Sequence, residues 1–111
     1  MSDELLGLTA AEQAARIEAG DVSAAEVFDY WRGRAAADDL NAYLWVAEET
    51  PEDAGTLPPI AVKDLFCVRG VPSMAGSRIL EGYRPPYTAT SVERLQNAGA
   101  RVRSHGFWTG P

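Results

Sequence analysis

The chain has 111 residues, 46% hydrophobic and 23% charged, and a formal net charge of −6. That balance belongs to a small globular domain or a piece of a larger one. It argues against a disordered chain and against a nucleic-acid grip, which needs a basic surplus. One cysteine excludes an internal disulfide. The acidic start and the lack of a long apolar run give no sign of a signal peptide or membrane span, so a cytoplasmic chain is expected.

Thr9-Ala10-Ala11-Glu12 fits a capping box, and Gly20 sits where a left-handed terminator belongs, which predicts a helix over 10–19. Ser23-Ala24-Ala25-Glu26 repeats the signature and predicts a second helix over 24–37. Val27, Tyr30, Trp31 and Arg34 recur at helical steps along it, a face that either packs on the core or meets a partner. Residues 41–46 (Asn-Ala-Tyr-Leu-Trp-Val) read as a strand. An acidic stretch with Pro51 and Gly55 reads as a solvated linker.

Pro58-Pro59 opens a short apolar run, Ile60-Ala61-Val62, expected to be a buried strand ending at Lys63-Asp64. From Arg69 to Pro86, glycine and proline interrupt regular structure, giving a long loop. Thr90 to Ala98 reads as a helix stopped by Gly99, and Ala100-Arg101-Val102 as the start of another strand. Strand, loop, helix and strand make one α/β crossover unit.

Lys63 is the sole lysine beside nine arginines. Arginine keeps its proton, whereas lysine can lose one when desolvated and then serve as base or nucleophile. A lysine at a strand end can equally be a solvated side chain. Pairing with Asp64 is awkward, because neighbours on a strand point to opposite faces. Ser73 and Ser77 are hydroxyl candidates in a loop that reads more simply as a turn. No Walker or GxGxxG pattern occurs, and His105 and Cys67, each alone of its kind, are too few for a metal site. Cys67 is expected to be a small buried hydrophobe, and His105 to be exposed and idle.

Taken in order, Ile60-Ala61-Val62-Lys63-Asp64, Gly70-Val71-Pro72, Ala75-Gly76-Ser77, Ile79-Leu80-Glu81-Gly82-Tyr83, Pro85-Pro86-Tyr87 and Val92-Glu93-Arg94-Leu95…Ala98-Gly99-Ala100 resemble the start of the amidase signature family. Within it they are most similar to the branch that serves tRNA-dependent amidotransferases as the glutamine-hydrolysing subunit. The resemblance implies an α/β fold with helices around a mixed central sheet, here only its amino-terminal part and incomplete. It divides the chain into amino-terminal helices and first strand (1–47), acidic linker (48–57), start of the catalytic core (58–102) and a divergent tail (103–111).

The family uses a Ser–cis-Ser–Lys triad, and the resemblance implies that Lys63 is its general base. The family's two triad serines and oxyanion amides are expected beyond this chain, so Ser73 and Ser77 are not promoted, and the chain alone is expected to be inactive. By the same resemblance glutamine is the ammonia donor. Subunits B and C are the partners, and ATP and Mg2+ serve the whole complex; no cofactor or metal is expected on this chain.

Departures are also plain. Arg103-Ser104-His105-Gly106 stands where the family continues Gly-Lys-Thr-Asn, which raises the expectation of a frameshifted or truncated frame. Thr88 stands where an aspartate usually caps the helix, a role threonine can fill less well. The alternatives are a piece of a free-standing amidase for small amides and a non-catalytic interaction module using the second helix. An uncovered strand edge predicts marginal stability for the chain alone.

Overall fold

A computed structural model describes residues 3–74 and 77–106. After a 3-10 turn at Asp3–Gly7, helix α1 spans Ala10–Glu18 and α2 spans Ala24–Ala36. Strand β1 is Tyr43–Val46, β2 is Ile60–Lys63, α3 is Thr90–Asn97 and β3 is Val102–Gly106. A second 3-10 turn, Arg78–Leu80, lies within the long loop.

The capping box forms as read. Thr9 Oγ1 accepts from the Glu12 amide at 3.1 Å, and Glu12 Oε1 accepts from the Thr9 amide at 3.0 Å. These bonds, the backbone one foremost, hold the Glu12 carboxyl below its ordinary pKa. At α2 the second half of the box changes: Ser23 Oγ still accepts from the Glu26 amide, but donates to Glu26 Oε1 at 3.2 Å. Gly20, at φ 80°, follows the end of α1 in the left-handed region that an L side chain resists.

Only part of the expected stripe on α2 faces inward: the buried face is Val27, Phe28 and Ala35, Tyr30 and Trp31 are half-buried and Arg34 is exposed. Val27 and Phe28 are buried, and Trp31 Nε1 donates to Gln13 Oε1 at 2.9 Å. Gln13 Nε2 in turn donates to the Leu8 carbonyl at 3.2 Å, so one buried amide ties α1, α2 and the first turn together. Tyr30 stands edge-on to Trp31, with ring centroids 4.9 Å apart. Phe28 is thus spent on internal packing, while Tyr30 also lines an open hollow on the outer side of α2.

The sheet runs β1-β3-β2, with β3 central, antiparallel to β1 and parallel to β2. A parallel pair needs a crossover, which the loop and α3 supply. Val62, Val68, Val71 and Val92 form one apolar cluster; Phe28, Ala47 and Ala54 form a second; Trp45 packs against both. β3 begins at Val102 rather than Ala100, because the Ala100 amide is used to close α3 on the Leu95 carbonyl. It continues through Arg103-Ser104-His105, across the expected start of a divergent tail at residue 103. Residues 107–111 of that tail lie outside the described residues.

Thr88 does not cap α3. The cap position is Ala89, and the Thr88 hydroxyl instead accepts from the Arg69 amide at 2.9 Å, tying the two ends of the long loop. The acidic stretch keeps its carboxylates exposed yet docks on the sheet. Ala54 is buried, the Thr56 and Leu57 amides both donate to the Gly99 carbonyl, and Asp53 pairs with Arg101 at 3.0 Å. The Gly55 amide foremost, then Arg101, holds the Asp53 carboxyl below its ordinary pKa.

The chain crosses itself closely here. Gly99 has φ 112° and a Cβ on it would strike the Thr56 side chain; a Cβ on Gly55, φ 75°, would strike the Gly99 carbonyl. Gly99→Ala is therefore expected to destabilise the fold by at least about 1–2 kcal/mol, read by urea unfolding. Glu12 gives a pH signature at α1. Its depressed carboxyl contributes fully above the ordinary carboxylate pKa and loses that contribution as pH falls through the lowered value. The Thr9 amide resonance should follow that step, and Glu12→Gln should remove it.

Candidate functional site

β2 carries its apolar residues up to Lys63 and then turns at Asp64, so two charged groups leave the strand end in different directions. Lys63 is exposed, and among the described residues its ammonium engages no hydrogen bond or ion pair. It lies on a hollow of about 250 Å³ lined by Ile60, Val62, Phe66, Val92 and Leu95, with Ser91 at its side. The hollow runs along the length of β2 between the strand and α3, with Lys63 at the carboxyl end of that strand.

Asp64 goes the other way and is 1% exposed. Its two carboxylate oxygens accept from the Met74 amide at 3.2 and 3.1 Å. Oδ1 also lies 3.2 Å from His105 Nδ1. The Asp64 carbonyl accepts from Ser73 Oγ at 3.0 Å. Ser73 is therefore buried in a structural bond, and Ser77 Oγ accepts from the Ile79 amide at 3.2 Å at the start of a 3-10 turn. Both loop hydroxyls are occupied in holding backbone, and neither reaches the hollow.

His105 corrects the sequence expectation. It is fully buried in the central strand, with Nδ1 2.9 Å from the Pro72 carbonyl and Nε2 2.9 Å from the Phe66 carbonyl. Nothing local in Ser104-His105-Gly106 marks it, because its partners lie 33 to 41 positions earlier. Cys67 is half-buried rather than buried, with Sγ 3.5 Å from the Tyr87 hydroxyl. That contact is the main cause raising the Tyr87 phenol above its ordinary pKa.

Residues 10–105 match the Amidase family, nearly the whole described length. This chain belongs to the amidase family. Similar proteins include the A subunit of the glutamyl-tRNA(Gln) amidotransferase of Anaeromyxobacter dehalogenans, 56% identical over 71 residues, which are 64% of this chain and 14% of that protein. The same-named proteins of Chloroflexus aurantiacus and Salinispora arenicola are 39% and 41% identical over 87% and 86% of this chain. The chain spans 14% to 24% of the length of these relatives. The family match extends through Ser104-His105, so likeness to the amidases reaches past Val102.

Lys63 and Asp64 should separate cleanly by substitution. Lys63→Ala removes a solvated side chain and should change stability by no more than about 0.5 kcal/mol. Asp64→Ala strips the Met74 amide and His105 of a buried acceptor and should cost about 1–3 kcal/mol, measured by the same denaturant titration.

Proposed function

We propose that this chain is the amino-terminal part of the glutamine-hydrolysing amidase component of a tRNA-dependent amidotransferase, and that Lys63 is its general base. The single observation that carries the reading is the position of Lys63. It is the one lysine of an amidase-family chain, without a partner among the described residues, at the end of a parallel strand that an apolar hollow follows. In the proposed chemistry the Lys63 amine takes a proton from a bridging serine, which takes one from the nucleophilic serine as it attacks the glutamine carboxamide. That proton is returned to the departing nitrogen as the C–N bond breaks, leaving ammonia and a serine acyl-enzyme. Water then cleaves the ester to glutamate and restores the serine.

By the family resemblance both serines and the oxyanion donors are assigned to chain beyond the segment present here, and Ser73 and Ser77 are committed to backbone. A base needs an amine that has shed its water, and the hollow beside Lys63 is apolar enough to provide that once covered. The amidase component would deliver ammonia to partner subunits B and C, which amidate a misacylated tRNA with ATP and Mg2+. The nucleotide chemistry is assigned to those partners by the family resemblance. With an acidic net charge this chain is not the tRNA grip. We place the complex in the cytoplasm; among the described residues no helix is long and apolar enough to cross a membrane.

The test is a chimera in which residues 10–105 replace the matching segment of the Salinispora arenicola relative. It is expected to hydrolyse glutamine in its amidotransferase complex. Lys63→Ala should lower the rate by about 10²–10⁴-fold with the fold intact. Unchanged hydrolysis in that variant would remove Lys63 from the chemistry. A preference for simple aliphatic amides over glutamine would favour a free-standing amidase. The 111-residue chain alone should hydrolyse neither.

A further inference from the structure

The surroundings of His105 fix more than its burial. Its ring is closed in by acceptors: the Pro72 carbonyl at 2.9 Å and Asp64 Oδ1 at 3.2 Å on Nδ1, and the Phe66 carbonyl at 2.9 Å on Nε2. A neutral imidazole carries one N–H and one bare lone pair, whereas the imidazolium carries two N–H groups. With hydrogen on Nδ1 alone, Nε2 would face the Phe66 oxygen lone pair against lone pair. With hydrogen on Nε2 alone, Nδ1 would face two oxygens.

A proton on Asp64 could relieve one of those two, by donating to Nδ1. It would leave the Pro72 carbonyl, the nearer partner, opposed to the same lone pair. Carbonyls cannot change role, so the arrangement is satisfied throughout only when both ring nitrogens donate. The compensating charge is at hand, because the Asp64 carboxylate is sealed from solvent with the ring and is further held by the Met74 amide.

Other charged groups around the ring are turned elsewhere. Its strand neighbours in register are Val62 on β2 and Trp45 on β1. Arg103 directs its guanidinium to Ser104 Oγ and the Tyr43 hydroxyl, and Lys63 is exposed. Among the described residues Asp64 is the charged side chain recorded against the ring.

We propose that His105 is held as a doubly protonated cation paired with Asp64, forming an ionic rivet that fastens the turn after β2 and the 72–74 loop to the central strand. The rivet joins three segments far apart in sequence: Asp64 and Phe66, then Pro72 to Met74, then β3. It fixes the backbone immediately after Lys63 without contacting the Lys63 side chain. The inference rests on hydrogen-bond geometry and stands whether or not Lys63 is a base.

His105 is the single histidine of the chain, so its ring nitrogens can be observed without assignment ambiguity. Nitrogen-15 NMR of the uniformly labelled full chain at pH 7 should show both ring nitrogens at protonated positions, each coupled to its own hydrogen. One nitrogen at the unprotonated position, or exchange-averaged shifts of a solvent-exposed ring, would overturn the proposal. Amide exchange gives a second reading. In His105→Gln, whose amide cannot place a donor toward both carbonyl sites, the Met74 amide should exchange at least tenfold faster than in the parent chain. An unchanged Met74 rate in a folded His105→Gln chain would also overturn it. If that variant does not fold, the nitrogen shifts of the parent chain decide alone.

Discussion

The contact on which the geometry around Lys63 depends is the buried carboxylate of Asp64. Its carboxylate receives the Met74 amide and its carbonyl the Ser73 hydroxyl, and Oδ1 lies 3.2 Å from the His105 ring. Without those bonds the 64–74 segment would be held to the sheet by Val68, Val71 and the two His105 contacts to the Phe66 and Pro72 carbonyls. Burying a carboxylate is costly unless its lone pairs are met, and here a backbone amide and a buried ring meet them. A loop rich in glycine and proline thereby gains a defined path beside the strand end.

The adjacency of Lys63 and Asp64 divides labour at one turn. Asp64 faces in and is consumed by structure; Lys63 is exposed beside an apolar hollow and engages no partner among the described residues. This is the arrangement expected of a reactive side chain, whose position is set through its neighbour so that its own functional atom stays available. The loop serines show the converse. Ser73 and Ser77 have the residue type for nucleophilic chemistry, but each has its oxygen engaged on backbone within a few residues of its own position or its anchor.

What the sequence disclosed follows the range of the interactions concerned. The Thr9 box, the Ser23 cap and the terminating glycines Gly20 and Gly99 act over three or four residues, so their helices were readable to within a residue or two. The α/β crossover was readable because two short apolar runs flank one helix. Thr88 misled because its hydroxyl is taken by Arg69, a partner 19 residues away that outweighs the local cap. His105 misled for the same reason on a larger scale: burial of a polar ring is decided by acceptors from Phe66 and Pro72, which no local pattern reveals. Lys63 stood out by composition, while its exposure depends on what lies over the hollow and is not a property of its neighbours in sequence.

That exposure bears directly on the proposed chemistry. A lysine surrounded by water keeps its charge and attracts no proton, so the apolar lining by Ile60, Val62, Phe66, Val92 and Leu95 matters as much as the amine. Such a lining is costly to leave wet, and covering it would remove water from the Lys63 amine in the same step. The relatives are several times longer than this chain, and among the described residues β2 is an edge strand of the sheet. Under the proposed role, one apolar contact over the hollow would both bury that lining and desolvate the amine.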